Sequence, residues 1–270
     1  MLRVEHLKKS YGDGPEAVQA VGDISFETRP NELVCIVGPS GCGKTTLLKC
    51  ISGLLSPTDG EVWLDDQRVD GPPERMAVVF QEYSRSLFPW MTVRQNVAFP
   101  LRRRDLGAQE RAALVDEAVE SVGLTAAIDR YPWQLSGGMQ QRVAIARALA
   151  YQPEILLMDE PFASVDAQTR ADLEDLVLTV RERYGITIVF VTHDIDESVY
   201  LSDRVIVLTP SPTSVYEVLD IDLPAPRDQV MTKELPEFAR LRAHVWRSIK
   251  RPDAVAAAAP APADSAQRTA

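Results

Sequence analysis

The chain is poor in cysteine: its 270 residues include three, Cys35, Cys42 and Cys50. An odd number without C-x-x-C spacing points to neither a disulfide framework nor a zinc site. Long apolar runs are also missing. None approaches the ~18 residues that suggest a membrane span, and the opening Met1-Leu2-Arg3-Val4-Glu5-His6 lacks the apolar stretch of a signal peptide. Positive charge is scarce too, with 29 Lys and Arg against 39 Asp and Glu, a formal net charge of −10. That balance argues against broad nucleic-acid binding, which needs a basic surface. It leaves docking on a membrane protein open, because docking depends on a local patch. No repeat of solenoid period is present. These absences predict a cytoplasmic protein, and a composition of 45% hydrophobic and 25% charged residues fits a soluble globular one.

Against this background one stretch stands out, Gly38-Pro39-Ser40-Gly41-Cys42-Gly43-Lys44-Thr45-Thr46. It fits G-x-x-x-x-G-K-[ST], a loop that cradles phosphates. Its glycines let the backbone curl so that successive N–H groups point at one anion. Lys44 would reach the β- and γ-phosphates, and the Thr45 hydroxyl would ligate Mg²⁺. The flanks have the required form. Leu33 to Val37 reads as an apolar strand, and Thr46 to Ile51 as a helix whose N-terminus favours negative charge.

The remaining periodicity predicts strands at 2–9, 21–28, 61–64, 76–80, 155–158, 186–191 and 204–208. Helices are expected at 108–122, 167–184, 194–201 and 234–250. Thr92 is a candidate N-cap, and about 92–150 reads as a helical insertion. The early β segments would form a small antiparallel sheet beside a mostly parallel one. After Pro210 the pattern weakens. An extension, 221–252, carries the last helix, and the Ala/Pro-rich 253–270 is expected to be disordered.

Ile155-Leu156-Leu157-Met158-Asp159-Glu160 puts two carboxylates at the end of an apolar strand, where ligands of parallel sheets bind. Asp159 would hold Mg²⁺, and Glu160 would polarise an attacking water. Leu135-Ser136-Gly137-Gly138-Met139-Gln140-Gln141-Arg142 opens another helix. Ser136 is of N-cap type, and the glycines leave the first amides bare, which makes a second anion cradle. Two cradles in one chain suggest two copies that close each other's sites. His193 and Gln81 end further strands on the ligand side, His193 as a γ-phosphate contact and Gln81 as a ligand for water or Mg²⁺. Tyr11 would stack on adenine.

With these motifs the chain resembles the ATP-binding subunit of an ABC (ATP-binding cassette) transporter, over about residues 2–220. Gly38 to Thr45 resembles the Walker A loop and Gln81 the Q-loop residue. Ser136, Gly137, Gly138 and Gln140 fall in the signature, which in that family contacts the partner subunit's ATP. Asp159 and Glu160 resemble the Walker B aspartate and catalytic glutamate, Asp166 the D-loop aspartate and His193 the switch histidine. The runs 87–93, 131–136 and 236–241 are similar to the nitrate/sulfonate/taurine importers. The resemblance implies a P-loop α/β fold, ATP and Mg²⁺ as cofactors, and a dimer with a second copy or a related cassette. It also implies separate transmembrane permease subunits docked on residues 82–100, a binding protein that delivers a small anion, and a place on the inner face of the membrane. Two rival readings are a soluble ATPase of the same class in a non-transport process and a small-molecule kinase. A kinase would leave the Ser136 motif and His193 unused.

Overall fold

In the computed structural model, which describes residues 1–12, 14–82 and 86–250, five parallel strands carry the centre of the molecule. The segment 253–270 and residues 83–85 of the 82–100 stretch lie outside the described residues. In spatial order the five are β6 (Met76–Val79), β7 (Ile155–Asp159), β8 (Thr187–Val191), β3 (Leu33–Val37) and β9 (Arg204–Leu208). All residues of β3, β7 and β8 are buried, as expected of strands covered on both faces.

An antiparallel group continues the sheet. It comprises β1 (Leu2–Tyr11), β2 (Val18–Glu27), β4 (Asp59–Leu64) and β5 (Gln67–Arg68). A strand that sequence patterning does not reveal, β10 (Thr213–Asp220), joins the two parts. It pairs antiparallel with β9 and parallel with β2, giving one ten-stranded sheet. Its pattern is blurred because most of its residues are only half-buried and a carboxylate sits in its middle. Glu217 is accommodated there because helix 236–250 supplies partners. His244 Nε2 lies 2.8 Å from Glu217 Oε1, and the Ser248 hydroxyl donates to Oε2 at 2.8 Å.

Helices α1 (Lys44–Ile51), α5 (Ala167–Tyr184) and α6 (Ile195–Leu201) follow β3, β7 and β8. A helical layer of α2 (Val93–Ala98), α3 (Ala108–Ser121) and α4 (Gly137–Ala150) packs through Val93, Val97, Val115, Val119 and Val143, all buried. The helical spacing over 108–122 puts Ala112 on the apolar stripe with Val115, Ala118, Val119 and Val122, yet Ala112 is exposed and Leu114 packs against the core instead. Beyond Asp220 the chain adds α7 (Met231–Glu234) and α8 (Pro236–Lys250). Phe238, Leu241 and Val245 of α8 join the same core as the central strands. Each such burial contributes roughly 1.5–3 kcal/mol. Among the described residues no helix is long and apolar enough to cross a membrane.

The turn before α2 is organised by Asn96, which is fully buried. Its side-chain oxygen accepts from Phe88 N (2.9 Å), and its amide donates to the carbonyls of Phe88, Met91 and Thr92 at 3.0–3.1 Å. Thr92 then caps the helix reciprocally with Gln95. Thr92→Ala removes one half of this capping box. It is expected to lower the unfolding free energy by about 1 kcal/mol in urea titrations.

Candidate active site

Between Val37 and Lys44 the chain must turn from strand into helix, and two residues do so with left-handed backbone. Gly41 has φ +77° and Gly43 φ +104°. A Cβ on Gly43 would also stand 2.9 Å from the Ala20 carbonyl oxygen. Lys44 is buried, and its Nζ donates to the carbonyls of Gly38 (3.0 Å) and Pro39 (3.1 Å). The ammonium is thereby folded over the loop with one donor left over. Cys42 is buried behind the loop and donates its N–H to the same Pro39 carbonyl. The Tyr11 hydroxyl lies 3.2 Å from Thr46 Oγ1, which brings the exposed ring at the end of β1 beside the first turn of α1.

The carboxyl end of β7 faces this loop. Asp159 is buried and accepts the Thr45 hydroxyl at 3.2 Å. Burial pushes its carboxyl above the ordinary value; the Thr45 hydrogen bond opposes this and the nearby Glu160 charge adds to it. A divalent cation would reverse that shift. Thr45 Oγ1 and Asp159 Oδ1, 3.2 Å apart, are hard oxygen donors of the kind Mg²⁺ takes alongside phosphates, and the Gln81 amide engages Glu160, the next residue along. Among the described residues no cluster of three or more His, Cys, Asp or Glu offers a protein-only metal cage.

Glu160 adopts φ +43°, an unusual conformation for a residue with a side chain. Its N–H donates to the Val191 carbonyl at 2.8 Å, which ties the end of β7 to the end of β8. One carboxylate oxygen, Oε2, then receives Gln81 Nε2 at 3.3 Å and lies 3.0 Å from His193 Nδ1. Strained backbone of this sort costs ~1–3 kcal/mol and clusters at sites where a side chain must be aimed. Ser40, Gly41, Gly43, Lys44, Thr45, Thr46, Glu160 and His193 line one open cleft.

The second cradle is elsewhere. None of Ser136, Gly137, Gly138 and Gln140 is among the described residues that line this cleft. Ser136 caps α4 by accepting from Met139 N at 3.3 Å. The Gln140 amide is engaged on its own chain, donating to the carbonyls of Pro132 (3.0 Å) and Leu135 (3.3 Å). Gly138 has a packing role beside any role of its amide, since a Cβ there would meet Thr169 Cγ2 at 2.3 Å. Asp166 caps α5, accepting both the N–H (3.0 Å) and the hydroxyl (2.7 Å) of Thr169. Those bonds hold its carboxyl below the ordinary value. Sequence reading missed this contact of Thr169 on Gly138, and also the polar group behind His193, in which buried Thr192 and Glu197 meet the partly exposed Asp194 and Arg170. The clue was the Asp194-x-x-Glu197 spacing at a helix start, where Asp194 is the N-cap.

Gly138→Ala should lower Tm by several degrees and reduce turnover. Adding Thr169→Ser, which removes the obstructing methyl, should recover most of both. Glu197 is 4% exposed, and burial first of all raises its carboxyl from 4.5 to about 7. Between those values the folded protein holds a proton that the unfolded chain has released, so stability falls as pH rises through this window. Glu197→Gln removes this dependence, worth up to ~3 kcal/mol. The Tm of the variant minus that of the parent should therefore increase from pH 5 to pH 8.

Known proteins resemble this chain in sequence and fold. The ABC transporter family profile matches residues 21–163. An uncharacterized ABC transporter ATP-binding protein of Methanocaldococcus jannaschii is 47% identical over 249 residues, 92% of this chain and 91% of that protein. Two proteins of Synechococcus elongatus are similar over the whole cassette. They are the bicarbonate transport ATP-binding protein CmpC (46%, 90% of this chain) and the nitrate import ATP-binding protein NrtC (44%, 89% of this chain). This chain spans 37% of the length of each. Among solved structures, a dimeric ATP-binding cassette in a post-hydrolysis state with ADP and Pi superposes with a TM-score of 0.70 at 33% identity. The match covers 82% of this chain and 99% of that one. The chain thus belongs to the ABC transporter family, as an ATP-binding cassette whose fold and chemistry are those of an ATPase.

Proposed function

We propose that the chain is the ATP-hydrolysing subunit that energises import of a small anion through a separate membrane permease. The observation that carries the catalytic part is the convergence of Gln81 and His193 on a single oxygen of the strained Glu160, at the rim of the glycine loop. In this reading the amides of residues 38–46 and Lys44 bind the triphosphate, and Tyr11 stacks on adenine. When bound, Mg²⁺ would neutralise charge on the β- and γ-phosphates, and Thr45, Asp159 and Gln81 would hold it. Glu160 accepts a proton from the attacking water, and His193 holds the Glu160 carboxylate in position beside the γ-phosphate.

The separation of the Ser136–Gln140 cradle from the cleft supports a dimer in which each chain completes the other's site. Asp166 would lie near the contact between the two. Residues 82–100 are the docking surface of this reading. Trp90 is 69% exposed there, and Phe88 stands 5.6 Å from its ring and 4.4 Å from that of Phe99. The names of the bicarbonate and nitrate relatives support a small oxyanion as cargo. In this reading a binding protein delivers it and the cassette sits on the inner face of the membrane.

Lys44→Ala should abolish phosphate release with loss of ATP binding, and Glu160→Gln should bind ATP without turnover. A Lys44→Ala chain mixed with a Gly137→Asp chain, each inactive alone, should recover phosphate release near equal amounts. Absence of recovery and of one-site occupancy in proven mixed dimers would reject the shared site. Co-purification with permease proteins, and binding of nitrate, bicarbonate or sulfonates by the associated binding protein, tests the transport reading.

A further inference from the structure

His193 is a solvent-exposed side chain on a turn that is almost wholly fixed from behind. The residue before it, Thr192, is 2% exposed. Its N–H donates to the Ile36 carbonyl at 3.2 Å, which holds the end of β8 against β3. Its hydroxyl donates to Glu197 Oε2 at 2.6 Å and accepts the Asp194 N–H at 2.9 Å. The residue after His193, Asp194, is fixed through both carboxylate oxygens. Oδ1 accepts from the backbone N–H groups of Asp196 (2.8 Å) and Glu197 (3.2 Å), and Oδ2 accepts from Arg170 NH1 at 3.0 Å. Arg170 also stands 3.5 Å from Glu197 Oε1. One hydroxyl therefore spans the turn that carries His193, and one guanidinium from α5 holds the far side.

Such a group is costly as a mere structural filler. Taking the Glu197 carboxylate out of water, while Asp194 and Arg170 stay 28% and 31% exposed, carries a desolvation penalty, and an apolar residue of like volume would pack at least as well. What the polar arrangement offers instead is direction: hydrogen bonds fix the turn to within tenths of an ångström, where apolar packing tolerates slippage. We propose that Thr192, with Glu197 and Arg170 behind it, is a positioning group that sets where His193 stands against Glu160 in hydrolysis. Arg170 lies four residues beyond the α5 cap Asp166 and directly follows Thr169, which packs on Gly138. The setting of His193 is thus tied to the helix that touches the Ser136 motif. The inference rests on the reading of Glu160 as the group that activates water, while its own residues touch neither nucleotide nor Glu160.

The test is steady-state phosphate release over a range of ATP concentrations at pH 8, with thermal melting of each protein. Thr192→Val is nearly isosteric and removes only the hydroxyl; Thr192→Ser restores it. Thr192→Val should lower kcat by about tenfold to a hundredfold, as for a misplaced catalytic group, with KM for ATP within about twofold. Thr192→Ser should return kcat to within about twofold of the parent. Arg170→Met should lower kcat in the same way, and Arg170→Lys should lower it less. Combined with Thr192→Val, Arg170→Met should cause little further loss, since both free the same turn. A Thr192→Val protein with parental kcat overturns the inference, as does a loss confined to KM. Failure of both Thr192→Val and Arg170→Met to fold, with Thr192→Ser intact, also overturns it, because the group is then structural. Glu160→Gln is run alongside. If that variant turns over normally, the reading of Glu160 fails; if it is dead while Thr192→Val is normal, only the positioning role fails.

Discussion

The parallel pairing of β7 with β8, closed by the Glu160 N–H on the Val191 carbonyl, is the constraint on which the site depends. It places the ends of two strands side by side, so residues 33 positions apart in sequence come within hydrogen-bond reach. The pairing of β3 with β8 does the same for the glycine loop. The left-handed turn at Glu160 is what remains to be accommodated. A strand that continued straight would send the carboxylate away from the loop; the twist at this residue keeps it at the rim of the cleft. Local backbone strain is offset by three strands that are buried throughout.

Much of this was legible in the residues. The glycine loop, the strand-end acids and the helix caps at Thr92 and Ser136 are local signals, because capping and left-handed turns are decided by a few adjacent residues. The helix 167–184 was placed from its pattern; the structure adds the Asp166 cap that opens it and Gly185, in left-handed conformation, that closes it. Strand β10 was not, because Glu217 is matched by His244 and Ser248 some 27–31 residues away, and no local pattern encodes that. Nor could the spacing of Arg170 and Glu197 show that the two stand 3.5 Å apart with Glu197 buried, since each reads as a solvated helix charge until α5 and α6 are packed together.

The motif at Ser136 shows how two explanations of one residue type can both hold. Its glycines were read as exposing amides to an anion. Gly138 has no room for a methyl group beside Thr169, so packing is part of its explanation. The two are compatible, since an amide offered to a ligand must sit on a helix that is itself held firmly. Ser136 and Gln140 fit the same account: both hydrogen-bond within their own segment and fix the turn that presents the helix end.

Strand β10 has a mechanical consequence. By stitching β9 to β2 it makes the Tyr11 end of the cleft and the glycine loop parts of one hydrogen-bonded slab. The ten strands are thereby hydrogen-bonded in one continuous order, with no gap between the antiparallel and parallel parts. The layer of α2, α3 and α4 packs on this slab through the shared core and carries the Ser136 motif at the start of α4. The glycine loop and the Ser136 motif are in this way set on different layers of one molecule, the first on the sheet and the second on the helices that cover it.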